Sequence, residues 1–156
     1  GGAALLRTAE LAAVGGVPAS FFCYYEDTDT SWRLRLAGGR VISEPAAKVL
    51  HLHGVSTAPG SRAFHLWNER NRLLTLLRCA PARVAAAQVL RFAALTALLP
   101  LRRNVPAEHN FRFGLRLRVV AEVIVRLPAT LRQRLRVTLA EPDSRDRVWH
   151  DWAGRS

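Results

Sequence analysis

Several residue types are scarce in this chain of 156 residues, and each scarcity excludes a class of protein. The two cysteines, Cys23 and Cys79, lie far apart without a C-x-x-C pairing, so the sequence predicts neither a disulfide scaffold nor a structural zinc cluster. A reducing compartment is the default for such a chain. Methionine is absent, and the first ten residues lack the features of a signal peptide. The chain is therefore expected to be a piece of a longer protein.

Long apolar runs are also lacking, although 49% of the residues are hydrophobic and 22% are charged, which is typical of a folded domain. The most apolar stretch, residues 84–99, is interrupted by Gln88 and Arg91. It falls short of the ~20 apolar residues that a spanning helix requires. A conventional transmembrane span is therefore not expected.

Positive charge is present as arginine, since Lys48 is the only lysine among 23 basic residues. Residues 1–50 hold five basic and five acidic side chains, whereas residues 51–156 hold 18 basic and seven acidic ones and carry the whole net charge of +11. This asymmetry predicts two zones, a balanced front that could perform catalysis and a basic, apolar back.

The front is expected to mix strands and helices. Thr8 could cap a short helix over residues 9–14, and Asp27 or Thr28 could cap a second that ends at Gly38-Gly39. Short apolar runs between turn residues predict strands. The strand candidates are residues 3–7, 21–25, 40–43 and 48–54.

The back is expected to be helical, over residues 62–79, 82–99, 111–127 and 129–139, with prolines between the segments. Residues 111–128 mix arginine with apolar residues, which suits either a helix in the lipid headgroup plane or one that covers its own domain. The predicted organisation is a catalytic part at 1–61, a basic amphipathic region at 62–139 and a polar tail at 140–156.

Three carboxylates, Glu26, Asp27 and Asp29, cluster where the second helix begins. The positive end of a helix favours an ionised carboxylate, so Asp27 could accept a proton or bind a cation at neutral pH. Plain helix capping is the alternative.

Two further groups have possible chemistry. His51 and His53 would face the same side of a strand and could share a metal ion, or could be structural and solvated. Arg70, Asn71 and Arg72 open an apolar helix, where arginine forks could hold a diphosphate or simply form a solvated face.

Four motifs in order carry a family resemblance. They are G-x-A-L-L-R-x-x-x-L-x-x-V-G-G at 2–16, FFCYYEDTDTSWRLRLAGGRVISEP at 21–45, V-x-H-x-H-G-x-S at 49–56 and N-E-R-N-R-L-L-T-L at 68–76. Together they resemble family 2 glycosyltransferases, above all the actinobacterial rhamnosyl- and galactofuranosyltransferase-like members. The resemblance implies an α/β fold, the C-terminal half of a GT-A domain, followed by a helical extension.

The resemblance also implies an inverting transfer from a nucleotide-diphosphate sugar to a glycan or polyprenyl-linked acceptor, in cell-envelope polysaccharide synthesis. Asp27 would be the general base, and Glu26 and Asp29 would orient it or the acceptor. The substrate-binding residues would be Trp32, Arg70, Asn71 and Arg72. The metal ligands, for Mg²⁺ or Mn²⁺, would be His51 and His53.

The sequence departs from the family in two places. The upstream half with the nucleotide-binding strands and the D-x-D metal motif is missing, and the usual G-G-F-D-E is altered to Gly15-Gly16-Val17-Pro18-Ala19. The chain alone is therefore expected to be inactive.

The alternative is a basic helical module that binds nucleic acid or a membrane surface without catalysis. The sequence contains no recognised nucleic-acid motif, so an anionic membrane surface is the expected partner and nucleic acid is not. The expected location is cytoplasmic, peripheral on the inner face of the plasma membrane.

Overall fold

The computed structural model of the chain describes residues 3–50, 58–140 and 144–152. Within these ranges the regular secondary structure is entirely helical, and no strand is found. The α-helices are α1 (Thr8–Ala13), α2 (Glu26–Leu36), α3 (Arg62–Cys79), α4 (Ala82–Leu98), α5 (Phe113–Ala140) and α6 (Arg145–Trp152). Single 3-10 turns occur at Ala19–Phe21, Leu99–Leu101 and His109–Phe111. The predicted α/β fold, half of a GT-A domain, is therefore wrong for the described residues, and only the helical extension is found.

The strand predictions are wrong because a strand needs a hydrogen-bonded neighbour, and none is present in the described part of the chain. Residues 21–25 instead form a tight turn in which Phe22, Tyr24 and Tyr25 have φ angles of 64°, 68° and 67°. These left-handed conformations are incompatible with a strand. Residues 3–7, 40–43 and 48–50 have no regular structure, and 51–54 lie outside the described residues.

The helix predictions fare better. The two central helices, α3 and α4, begin where Ser61 and Pro81 precede them, as the sequence predicts. The hydroxyl oxygen of Ser61 accepts a hydrogen bond from the backbone N–H of Phe64 at 3.2 Å. The cap predicted for α2 is wrong, because the helix already begins at Glu26, after a left-handed Tyr25. Gly38, with φ of 80°, follows the end of α2.

Helix α5 corrects a second prediction, since Pro128 lies inside one continuous helix and does not separate two. Proline removes one backbone donor from the helix, but side chains on either side supply donors of their own. The Thr130 hydroxyl donates to the Arg126 carbonyl at 2.9 Å, and the Arg126 guanidinium donates to the Glu122 carbonyl at 3.3 Å. Long packing of α5 against α3 supports the helix on both sides of the proline.

Helix α3 is the centre of the fold, because α2, α4 and α5 all pack against it. The main core brings together apolar side chains of the 21–25 turn, α3, α4 and α5. Its buried members are Phe21, Leu66, Leu73, Leu74, Phe92, Leu115, Val119 and Val123. A smaller cluster joins Leu36, Cys79 and Val148, so that α6, in the region predicted as a polar tail, packs beside α2 and α3.

One segment is long and apolar enough to cross a membrane by length and composition. It combines α4 with the 3-10 turn that follows and runs over Ala82–Leu101, 20 residues of which 22% of an 18-residue window is buried. The sequence argument considered a shorter stretch and judged it insufficient. Its inner side nevertheless contacts the rest of the protein, where Ala85, Phe92 and Thr96 are buried.

Candidate functional site

An open groove of about 320 Å³ lies at the first turns of α2. Helix α2 supplies one wall, and the segment after it and helix α6 supply the other. The lining residues are Asp27, Thr28, Ser31, Trp32, Arg35, Val41, Val148 and Trp152. The groove thus places a carboxylate, two hydroxyls and a guanidinium beside indole rings.

The Asp27 carboxyl group lies at the amino end of α2, on an exposed residue. Its Oδ1 accepts hydrogen bonds from the backbone N–H of Thr28 at 2.7 Å and from the Thr28 hydroxyl at 3.3 Å. Partial burial favours the neutral acid, but the hydrogen bonds that the carboxyl accepts outweigh it, and the pKa of Asp27 is lowered. Asp27 is therefore a carboxylate at neutral pH, as the sequence predicts.

Asp29 has a very different environment, although only one residue separates it from Asp27. Its side chain is fully buried and accepts from Arg33 Nε at 2.7 Å and, through both oxygens, from Arg78 Nη1 at 2.8 Å. Arg33 also donates to the carbonyls of Val14 and Gly16. Asp29 thus joins α2, α3 and the end of the first helix, and any influence on an acceptor acts through the position of α2.

Glu26 and Trp32 lie close to the same groove. Glu26 is the first residue of α2, is partly buried, and accepts through its carbonyl from the Thr30 hydroxyl at 2.7 Å. Trp32 lines the groove and stacks on Trp149 of α6, with ring centroids 5.6 Å apart. The stacking fixes the indole of Trp32, so that one face of the ring is already covered by protein.

Arg70 and Asn71 lie away from the groove and hold the 21–25 turn. The Asn71 amide nitrogen donates to the carbonyls of Phe21, Cys23 and Tyr24 at 3.1, 2.9 and 2.8 Å. Arg70 also donates to the Phe21 carbonyl, at 3.1 Å. Both side chains are buried, so their positions are explained by this turn. A role toward a donor diphosphate stays a prediction.

The remaining predicted ligands are Arg72 and the two histidines. Arg72 is partly buried, pairs with Glu69 at 3.0 Å and reaches Gln88 at 3.4 Å. His51 and His53 lie outside the described residues. Within the described ranges no group of three His, Cys, Asp or Glu side chains could hold a metal ion. The Mg²⁺ or Mn²⁺ site therefore stays a prediction.

Sequence reasoning missed two prominent residues of the groove, Arg35 and Trp152. The guanidinium carbon of Arg35 lies 3.9 Å from the centre of the Trp152 ring, within the range of a cation–π contact. Arg35 could have been found, since it lies two helical turns after Asp27 on the same face of α2. Trp152 carried no such signal because only the packing of α6 brings it to the groove.

Comparisons with protein-family models, curated proteins and solved structures found no match to this chain.

Proposed function

We propose that this chain supplies the acceptor-side catalytic part of an inverting sugar transferase, with Asp27 as the general base. The observation that carries the proposal is the contrast between two neighbouring acids. Asp27 is exposed at an open groove with a lowered pKa, whereas Asp29 is buried between two arginines. A general base must be ionised and within reach of substrate, and Asp27 meets both conditions.

In the proposed reaction an acceptor hydroxyl, on a glycan or polyprenyl-linked substrate, lies in the groove beside Asp27. Its oxygen attacks the anomeric carbon of a nucleotide-diphosphate sugar, the bond from that carbon to the diphosphate oxygen breaks, and the hydroxyl proton passes to the Asp27 carboxylate. Attack from the face opposite the leaving group inverts the anomeric configuration. A divalent cation held by His51 and His53 would offset the charge of the departing diphosphate.

Positioning is the contribution of the buried polar groups. Asp29 and its two arginines anchor α2, while Asn71 holds the turn that leads into the helix. Side chains locked by such contacts can keep a base within the small tolerance that proton transfer requires. The donor site would come from the upstream half that the family resemblance implies. We place the whole protein in the cytoplasm, peripheral on the inner face of the plasma membrane.

The test is Asp27→Asn in a protein that joins this chain to that donor-binding half. Turnover should fall roughly 10²–10⁴-fold, the range of general-base loss, while the affinity for the nucleotide sugar is unchanged. Glu108→Gln, at an exposed acid far from the groove in sequence, is the control and should leave turnover unchanged. Near-parental turnover of the Asp27 variant would refute the assignment.

A membrane-surface module without catalysis is the second candidate. It is favoured by the arginine-rich α4 and α5, whose outer faces are apolar and exposed. A joined protein that binds anionic vesicles but transfers no sugar, with every donor and acceptor tried, would favour this candidate over the transferase.

A further inference from the structure

Helix α5 has an apolar stripe on the side opposite the protein core. Its members recur every three or four residues and are all exposed, which places them on one face of the helix. The stripe consists of Leu117, Ala121, Ile124, Pro128, Leu131 and Leu135. Buried side chains such as Val119 and Val123 occupy the opposite face and pack in the main core. From Leu117 to Leu135 the stripe is roughly 27 Å long, at 1.5 Å per residue.

Helix α4 also has an exposed apolar side. Leu90, Leu98 and Leu101 are 67%, 51% and 78% exposed, and the alanines between them are exposed as well. The inner side of α4 is tied to α5, because Arg116 donates to the Thr96 hydroxyl at 3.1 Å and to the Phe92 carbonyl at 3.4 Å. The two helices are therefore neighbours, and each leaves an apolar face without a partner in the described structure.

The charge around these faces is almost wholly positive. Residues 82–136 contain 11 arginines and only two acids, Glu108 and Glu122. Glu122 is already engaged by Arg70 at 2.8 Å and by Arg118 at 3.1 Å. Helical spacing places Arg118, Arg132 and Arg136 along one edge of the stripe, and all three are exposed. An apolar face edged by arginines complements a surface that offers acyl chains beneath negative headgroups.

We infer that the α5 stripe is a docking surface for an anionic lipid bilayer, with the helix lying in the interfacial plane. The apolar side chains would enter the boundary between headgroups and acyl chains, while the arginines would contact lipid phosphates. This inference does not rest on the transferase proposal, since it uses no residue of the Asp27 groove.

An interfacial position agrees better with the packing than a spanning one does. Crossing a bilayer with α4 would expose Arg91, an exposed residue near the middle of that helix, to the hydrocarbon. It would also withdraw Phe92 from the core and break the hydrogen bonds from Arg116. A helix lying flat keeps all of these contacts.

The test is flotation of the full chain with vesicles of phosphatidylcholine containing 30% phosphatidylglycerol, compared with pure phosphatidylcholine. We expect the chain to float with the anionic vesicles and to be released by 1 M NaCl. Leu117→Gln combined with Ile124→Gln should lower the partition coefficient at least tenfold, because two apolar side chains lose their burial in lipid. Arg132→Gln combined with Arg136→Gln should lower it by more than about fivefold on anionic vesicles only.

Matched controls separate the stripe from general stickiness. Ile42 is 75% exposed against 62% for Ile124, but it lies outside the helices, so Ile42→Gln should not change flotation. Arg62→Gln, an exposed arginine at the start of α3, is the charge control. Circular dichroism of each variant verifies that helix content is preserved.

Four results would overturn the inference. They are no flotation, equal binding to neutral vesicles, equal losses for control and stripe variants, and resistance to alkaline extraction, which would indicate an inserted α4. Sedimentation velocity without lipid covers the remaining occupant of the stripe. A dimer that the Leu117/Ile124 variant dissociates, in a chain that does not float, would assign the stripe to a second copy.

Discussion

At the scale of single residues, the environment gives two chemically identical side chains different roles. Asp27 and Asp29 both belong to the first turn of α2, yet helical geometry turns one toward the groove and the other toward α3. Asp29 receives two arginines in a region without water contact, whereas Asp27 keeps access to solvent. Sequence reasoning grouped the two acids because it could identify the helix entrance but not the arginines facing it.

The contrast predicts opposite effects of the same substitution on stability. Asp29→Asn removes the only carboxylate shown between Arg33 and Arg78 and leaves two buried guanidiniums without compensation, so the free energy of unfolding should fall by about 3–5 kcal/mol. Asp27→Asn removes an exposed charge at a helix start and should cost less than about 1 kcal/mol. Urea unfolding followed by circular dichroism measures both. Equal losses would show that the burial contrast has no energetic consequence.

At the scale of secondary-structure elements, α5 shows how tertiary packing can override a local signal. Proline usually ends a helix, and that rule predicted a break at Pro128. The helix continues because α3 packs along it and because Thr130 and Arg126 provide side-chain donors near the proline. Elsewhere the local signals were sufficient. The Ser61 cap and the Pro81 boundary placed α3 and α4 correctly, since nothing in the packing opposed them.

Pro128→Ala should therefore stabilise the protein. Alanine restores the missing backbone donor and is about 3 kcal/mol better than proline inside a helix, although the relaxed packing around Pro128 reduces the gain to about 1–3 kcal/mol. The melting temperature should rise. The control is Pro106→Ala, outside the helices, which should change stability by no more than about 0.5 kcal/mol. A lower melting temperature for Pro128→Ala would mean that the proline geometry itself is needed for packing against α3.

At the scale of the whole molecule, a few arginine–carboxylate groups connect elements that are distant in sequence. Arg70 links α3 to Glu122 of α5 while its other nitrogens hold the 21–25 turn and Asn71. Burial favours the neutral acid of Glu122, but hydrogen bonds from Arg70 and Arg118 and the charges of Arg70 and Arg126 prevail, so its pKa is lowered. With so many arginines and few acids, these pairs keep positive charge from destabilising the fold.

Stability should consequently fall in acid. Because the pKa of Glu122 is lower in the folded protein than its unfolded value near 4.5, the unfolded state binds the proton first. The contribution of Glu122 is therefore complete above about pH 5 and is lost as pH falls through the folded pKa. Urea unfolding between pH 6 and 3 should show this decline, and Glu122→Gln should flatten it. An unchanged slope in the variant would assign the acid sensitivity to other carboxylates.

The sequence by itself determined the helical back, the positive charge of residues 51–156 and the ionised acid at the start of α2. These properties depend on local caps, on periodicity and on composition, all of which act over a few residues. Only the tertiary structure decided that residues 21–25 form a turn, that Asn71 holds it, and that Trp152 reaches the Asp27 groove. Those outcomes depend on which distant backbone and side-chain groups satisfy a buried carbonyl or cover an apolar face, and local patterns do not encode such pairings.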